Sequence, residues 1–229
     1  MCGRYGLTAF PSALIGRLGG RSRAGSAFVP RYNIAPTQQL LCRLNDEERR
    51  VAELRWGLVP PWAASPAAMK LSTFNARIET IATAPAFRDA LRVRRCAVFA
   101  SGYYEWHRRA DGTKRPFWIS RRDGEAFAFA GLWSTWGRGA EALYSCTIVT
   151  QPPNDLLRTI HSRMPVVLHE SAAFEWLDAR EREPQEMIAL LPPQPSEAWT
   201  AHEVSARVGN VRSDDPALIE PVARDDSSG

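Results

Sequence analysis

Short apolar runs broken at close intervals by turn residues constrain this chain more than anything else in it. Gln39–Leu44 and Val51–Val59 flank the polar stretch Asn45–Arg50 and read as a hairpin pair. Arg95–Trp106 reads as one long apolar strand. Asp111-Gly112 and Asp123-Gly124 are hairpin turn signals, and the meander continues through Phe117–Ser120, Ala126–Trp133 and Leu143–Thr150. Shorter strands are expected at Arg4–Thr8, Pro165–Leu168 and His202–Ser205. Helical spacing is confined to brief segments: Pro11–Leu18, Thr80–Leu91 with Pro85 opening its better part, Asn154–Ile160 with Asn154 as N-cap, Ser171–Leu177 capped by Ser171, and Pro184–Leu191. Arg21–Ser26 reads as a loop, Arg31–Thr37 as irregular because Pro36 restricts Ala35, and Ser72–Glu79 as extended or irregular. Neither an internal repeat nor a linker divides the chain. The expected fold class is α+β: a single domain with a curved, largely antiparallel, barrel-like β-sheet core flanked by short helices. Its domain is expected over residues 1–223, with 224–229 a disordered polar tail.

Composition narrows the function classes. With 229 residues, 45% hydrophobic and 24% charged, the chain can bury a substantial core. No apolar run approaches the roughly 18 residues of a membrane span, and no basic-then-apolar leader opens the chain. A cytoplasmic protein without membrane association is therefore expected. Cys2, Cys42, Cys96 and Cys146 are widely separated, and the internal three lie in strand-like runs that predict buried reduced thiols. His107, His161, His169 and His202 form no ligand spacing, so neither a metal site nor a cofactor is expected. The net charge of +4 resides almost wholly on Arg, with Lys only at Lys70 and Lys114; Arg suits bidentate phosphate contacts.

Several places carry chemistry. If Met1 is removed, Cys2 presents an α-amine and a thiol on adjacent carbons. These titrate near about 7.7–8.0 and about 8.5 in model compounds, so each is partly nucleophilic at neutral pH. The amine can form an imine with an aldehyde, and the thiol can close on it to a thiazolidine; the thiol can equally attack an acyl group. On its own, Cys2 also reads as an ordinary small residue beginning an edge strand. Glu105 sits between aromatics in Gly102-Tyr103-Tyr104-Glu105-Trp106, where burial would raise its pKa towards neutrality and suit proton transfer; alternatively it is a rim carboxylate paired with Arg. His161, between a short helix and a strand, has the right chemistry for general acid–base work, although an isolated His is as a rule structural. Asn75 has an amide able to orient a substrate or the terminal amine, and Arg77 a guanidinium able to grip phosphate. Pro36 and Pro60-Pro61-Trp62 present rigid apolar surfaces of a kind that stack on bases.

In order along the chain, Met1-Cys2-Gly3-Arg4, Tyr32-Asn33-Ile34-Ala35-Pro36, Arg55-Trp56-Gly57-Leu58-Val59-Pro60, Asn75-Ala76-Arg77-Ile78-Glu79, Gly102–Trp106, Ile160-His161-Ser162-Arg163-Met164-Pro165 and Val204–Asn210 resemble the SOS-response-associated peptidase (SRAP) family. The resemblance implies recognition of abasic sites in single-stranded DNA and a covalent thiazolidine cross-link through Cys2 once Met1 is gone. It implies catalytic roles for Cys2, Asn75, Glu105 and His161: nucleophile, holder of the terminus and sugar, proton carrier, and helper at the sugar hydroxyl and in Schiff-base reversal or strand cleavage. Self-removal of Met1 would use the same Cys2 and Glu105. DNA contacts are expected at Arg4, Pro36, Trp62, Arg77 and Thr150, with Pro36 and Trp62 favouring a single-strand–duplex junction. Ala63 departs from relatives that carry a second aromatic after the tryptophan. A monomer acting in DNA repair, nucleoid-associated when on DNA, is expected. The competing readings are a thiol peptidase or amidase using Cys2, His161 and Glu105, and a non-enzymatic single-strand binder whose contacts would be reversible and salt-sensitive.

Overall fold

The architecture was taken from a computed structural model, which describes residues 2–22, 28–67, 69, 72–191 and 194–222. Met1, the end of the stretch read as a loop at Arg21–Ser26, and the C-terminal tail lie outside the described residues. The strands in chain order are β1 (Tyr5–Leu7), β2 (Arg21–Ser22), β3 (Arg31–Ile34), β4 (Gln39–Leu44), β5 (Arg50–Trp56), β6 (Asn75–Arg77), β7 (Arg95–Ala100), β8 (Gly102–Arg108), β9 (Lys114–Arg121), β10 (Phe127–Trp136), β11 (Leu143–Gln151), β12 (Met164–Pro165) and β13 (Trp199–Glu203). The helices are short: α1 (Ser12–Arg17), α2 (Arg88–Val93), α3 (Asp155–Arg158), α4 (Glu170–Trp176) and α5 (Pro184–Ala189). The α+β class with a largely antiparallel barrel core is what the spacing of turns implies.

Strands β11, β10, β7, β4 and β5 pair in that order, and a parallel contact of β11 with β5 (Ser145 opposite Arg55, Cys146 opposite Trp56) closes them into a barrel. Closure removes the exposed edges that an open sheet would leave. Cys42, Cys96 and Cys146 are fully buried free thiols, with Cys42 Sγ 3.9 Å from Cys146 Sγ. Gly131 lets the strands approach. A Cβ there would fall 2.8 Å from Cys96 Sγ and 2.9 Å from the Thr147 carbonyl oxygen. A second antiparallel sheet, β13-β9-β8-β1-β3, lies beside the barrel.

Several elements depart from expectation. The run Arg95–Trp106 is two strands: β7 lies in the barrel, and after Ser101 the chain enters the second sheet as β8. All six residues of β7 are buried, so the alternation that would mark a strand end is absent. Gly102 was the available signal, because a Cβ there would meet the Trp118 ring at 2.2 Å. Likewise β9 and β10 flank a turn but belong to different sheets and do not pair. Arg21–Ser22 is a strand paired in parallel with β5, and Arg31–Ile34 is a regular strand opposite β1. Helix α2 begins only at Arg88, after successive turns from Ile78 to Phe87. Helix α4 is capped at His169 rather than Ser171. At α3 the Asn154 side chain does accept from Leu157 N at 2.9 Å, as an N-cap should.

A buried polar girdle fastens the loops. Arg95 is fully buried and its guanidinium donates to the carbonyls of Leu91, Arg92, Trp176, Asp178 and Arg180. Its burial holds the pKa down to about 10. On the other flank, Asn33 is also fully buried. Its Nδ2 donates to Val208 O at 3.2 Å, Asn210 O at 3.0 Å and Ser213 O at 2.7 Å, while Asp214 accepts from the Tyr32 and Asn33 amides. The C-terminal segment is thereby fastened to β3.

Candidate active site

At the seam between the two sheets, β1, β6, β8 and the connection after α3 converge. Strand β1 pairs with β8 through Tyr5 opposite Tyr103, which sets Cys2 beside the far end of β8. Strand β6 enters from the barrel side by parallel pairing with β11 (Ile148 opposite Asn75, Thr150 opposite Arg77). Asn75 Nδ2 donates to the Cys2 carbonyl oxygen at 2.8 Å. Its Oδ1 is buried and has no hydrogen-bond partner among the described residues, leaving an acceptor beside the terminus.

Alternation along β8 divides its side chains. Tyr104 faces a small cluster with Trp118, Val204, Val208 and Leu218, whereas Tyr103 belongs to the main core. Glu105 shares the face of Tyr103 and is 2% exposed. Burial raises its pKa from 4.5 to about 7. The elevation that its aromatic flanks imply is therefore present. Across a gap of 3.7 Å lies His161 Nε2. His161 Nδ1 lies 3.0 Å from Arg163 N and 3.2 Å from Arg163 O, so the Arg163 backbone holds the ring with Nε2 towards Glu105. Burial and nearby positive charge lower the His161 pKa below 6.5, so the ring is neutral at pH 7.

Cys2 is fully buried, and its thiol is pushed well above 9.0 by burial and then by the Glu105 charge. A thiol in this setting is held protonated and needs an adjacent base to become a nucleophile. Glu105 titrates where such a base is effective. The four residues Cys2, Asn75, Glu105 and His161 thus form one polar cluster of a thiol, an amide and a carboxylate–imidazole pair.

The remaining sequence candidates fall outside this cluster. Arg77 shares the strand face of Asn75, is exposed and makes no ion pair among the described residues. Arg4 is a strut: it donates to Asn33 Oδ1 at 2.9 Å, Val208 O at 2.7 Å and Gly209 O at 3.3 Å. Thr150 is fully buried, and its carbonyl already accepts from Ile78 N at 2.9 Å and Arg163 at 2.7 Å. Pro36 is half-buried in a turn hydrogen-bonded to Trp56, the last residue of β5, from which the chain runs on to Trp62. Trp62 is 60% exposed.

Two residues had no role assigned from sequence. Arg163 ties the site together by reaching both Glu79 carboxylate oxygens and the Thr150 carbonyl, while its own amide fixes His161. Its place between His161 and Pro165 was the only signal. Asn33 supports Arg4 and so the start of β1; nothing local distinguishes it from an ordinary turn asparagine.

Comparison with known proteins places the chain in a family. The family model for SOS response associated peptidase (SRAP) matches residues 1–211. Abasic site processing protein YoqW of Bacillus subtilis is 37% identical over 223 residues, covering 96% of this chain and 99% of the relative. Abasic site processing protein YedK of Escherichia coli is 37% identical over 198 residues, covering 85% and 86%. A crystal structure of a Bacteroides thetaiotaomicron protein superposes with a TM-score of 0.84 at 24% identity, covering 97% of this chain and all of that one, and so shares the fold. The chain belongs to the SOS response associated peptidase (SRAP) family.

Proposed function

We propose that this protein processes abasic sites in single-stranded DNA by forming a covalent thiazolidine cross-link through Cys2 after loss of Met1, shielding the lesion during DNA repair. The observation that carries this reading is the convergence on Cys2: Asn75 holds its carbonyl at 2.8 Å, and Glu105, with a pKa of about 7, faces His161 at 3.7 Å. The names of the relatives, abasic site processing proteins, support the same substrate.

In this scheme the Cys2 amine adds to the C1′ aldehyde of the open sugar. Protonated Glu105 gives its proton to the carbinolamine hydroxyl, water departs, and an iminium forms. The thiol then passes its proton to the Glu105 carboxylate as sulfur adds to the same carbon, closing the ring; aldehyde and aminothiol become thiazolidine and water. A carboxyl group with a pKa near the working pH performs both transfers. Asn75 holds the terminus and sugar in reacting geometry. His161, neutral at pH 7, serves the sugar hydroxyl and the Schiff-base route to reversal or strand cleavage. Self-removal of Met1 draws on Cys2 and Glu105. Arg77 and Arg4 contact phosphates, Thr150 lies along the strand path, and Pro36 with Trp62 turns the strand at a junction with duplex. One terminus per chain suffices, so the protein works as a monomer.

The test is intact mass and denaturing gel analysis with single-stranded DNA bearing one abasic site. A heat-stable adduct, one water lighter than the sum of its parts, lost in Cys2→Ala and absent with undamaged DNA, is the expected result. A protein verified to begin at Cys2 that forms no adduct refutes it and brings the thiol peptidase reading forward.

A further inference from the structure

The Pro60–Ala63 tip is held from outside its own connection. Trp136 ends β10, half-buried, and its indole Nε1 donates to the Ala63 carbonyl oxygen at 2.7 Å. Among the described residues, two further hydrogen bonds anchor this tip. Val59 N donates to Ser145 Oγ at 2.9 Å, and Ala63 N donates to Pro60 O at 3.1 Å. Pro60 and Pro61 fix their own φ angles but leave the chain after them free to pivot. Trp62, between Pro61 and the clamped Ala63, is 60% exposed. A large ring left in water gains nothing from burial there; it is useful only as a contact surface, and a contact surface discriminates only when its backbone is held still.

We propose that Trp136 is a positioning residue for Trp62, its indole N–H clamping the Ala63 carbonyl so that the Trp62 ring meets the terminal base pair at a single-strand–duplex boundary. This role rests on the abasic-site reading above. It makes Trp136 a determinant of substrate form rather than of the bond-forming step, because its contact is with the tip and not with Cys2, Asn75, Glu105 or His161.

Trp136→Phe keeps a ring in place and deletes the donor. Cross-linking rates are compared on an abasic single strand and on the same strand annealed so that duplex begins beside the lesion, for wild type, Trp136→Phe, Trp62→Ala and the double variant. The single-strand rate of Trp136→Phe is expected to match wild type, while its junction-to-single-strand rate ratio falls roughly 3- to 10-fold, the worth of one hydrogen bond. The double variant should be no lower than Trp62→Ala alone, since both losses act through one ring. An unchanged ratio, an equal loss on both substrates, or additive losses in the double variant overturns the proposal. A wild type that cross-links single strands without junction preference overturns it while the aldehyde trap stands; a wild type verified to begin at Cys2 that forms no adduct on either substrate overturns the underlying function.

Discussion

Glu105→Gln should make the protein more stable at alkaline pH while crippling the proposed chemistry. The carboxyl group has a pKa of about 7 in the fold against 4.5 in the unfolded chain, because burial penalises its charged form. Between these values the folded protein binds a proton that the unfolded chain has released. Stability therefore falls as pH rises from 4.5 to 7 and is flat above that. A difference of some 2.5 units corresponds to about 3 kcal/mol. Gln has the same shape without the charge, so the stability of the variant relative to wild type should climb by up to about 3 kcal/mol between pH 4.5 and pH 8. Urea unfolding of both proteins at several pH values across this window reads it directly. A difference that stays level with pH would show that Glu105 is not held at elevated pKa and would remove the base from the proposed scheme.

Asn33→Ala should leave the carbonyls of Val208, Asn210 and Ser213 and the Arg4 guanidinium without their shared partner, costing roughly 2–4 kcal/mol; limited proteolysis should then open the chain within 205–222. Gly131→Ala drives a Cβ to within 2.9 Å of the Thr147 carbonyl oxygen inside the closed barrel and should destabilise by about 1–3 kcal/mol in thermal or urea unfolding. Asn75→Ala removes the buried bond to the Cys2 carbonyl and should slow cross-linking by roughly 100-fold in quenched time courses run where the variant is fully folded, its unfolding free energy lower by about 1–3 kcal/mol. If its rate equals that of wild type, Asn75 does not orient the reacting terminus.

Turns, caps and composition made much of the fold readable. The β10–β11 pairing, the Asp111-Gly112 hairpin between β8 and β9 and the Asn154 cap all follow from local chemistry that needs no tertiary partner. The switch at Ser101 does not, because a barrel strand buried throughout has no polar face to signal where it stops. Helix α2 was overextended because Thr80–Phe87 has helical apolar spacing, yet its backbone is used in successive turns. The chemical character of Cys2, Glu105 and His161 was apparent from residue type and neighbours. Their meeting was not, since it depends on the parallel β6–β11 pairing and on which face of β8 turns inward. Arg4 illustrates the same limit: nothing in its sequence neighbourhood announces that its guanidinium donates to Asn33 Oδ1 and to the Val208 and Gly209 carbonyls.

The fastening of β3 by the Val208–Asp214 segment has a consequence in time. Strand β1 is the first element made, but its partner β8 lies about 100 residues downstream, His161 later still, and the Asn33 and Arg4 clamps last of all. At the synthesis rates of roughly 5–20 residues per second, the start of the chain waits on the order of 10–40 s before the enclosure around it can close. During that interval the start of β1 lacks these partners, whereas in the folded chain Cys2 is fully buried. Chains cut before residue 208 therefore lack the Arg4 and Asn33 clamps, and the enclosure around β1 is complete only once residues 208–214 have been made.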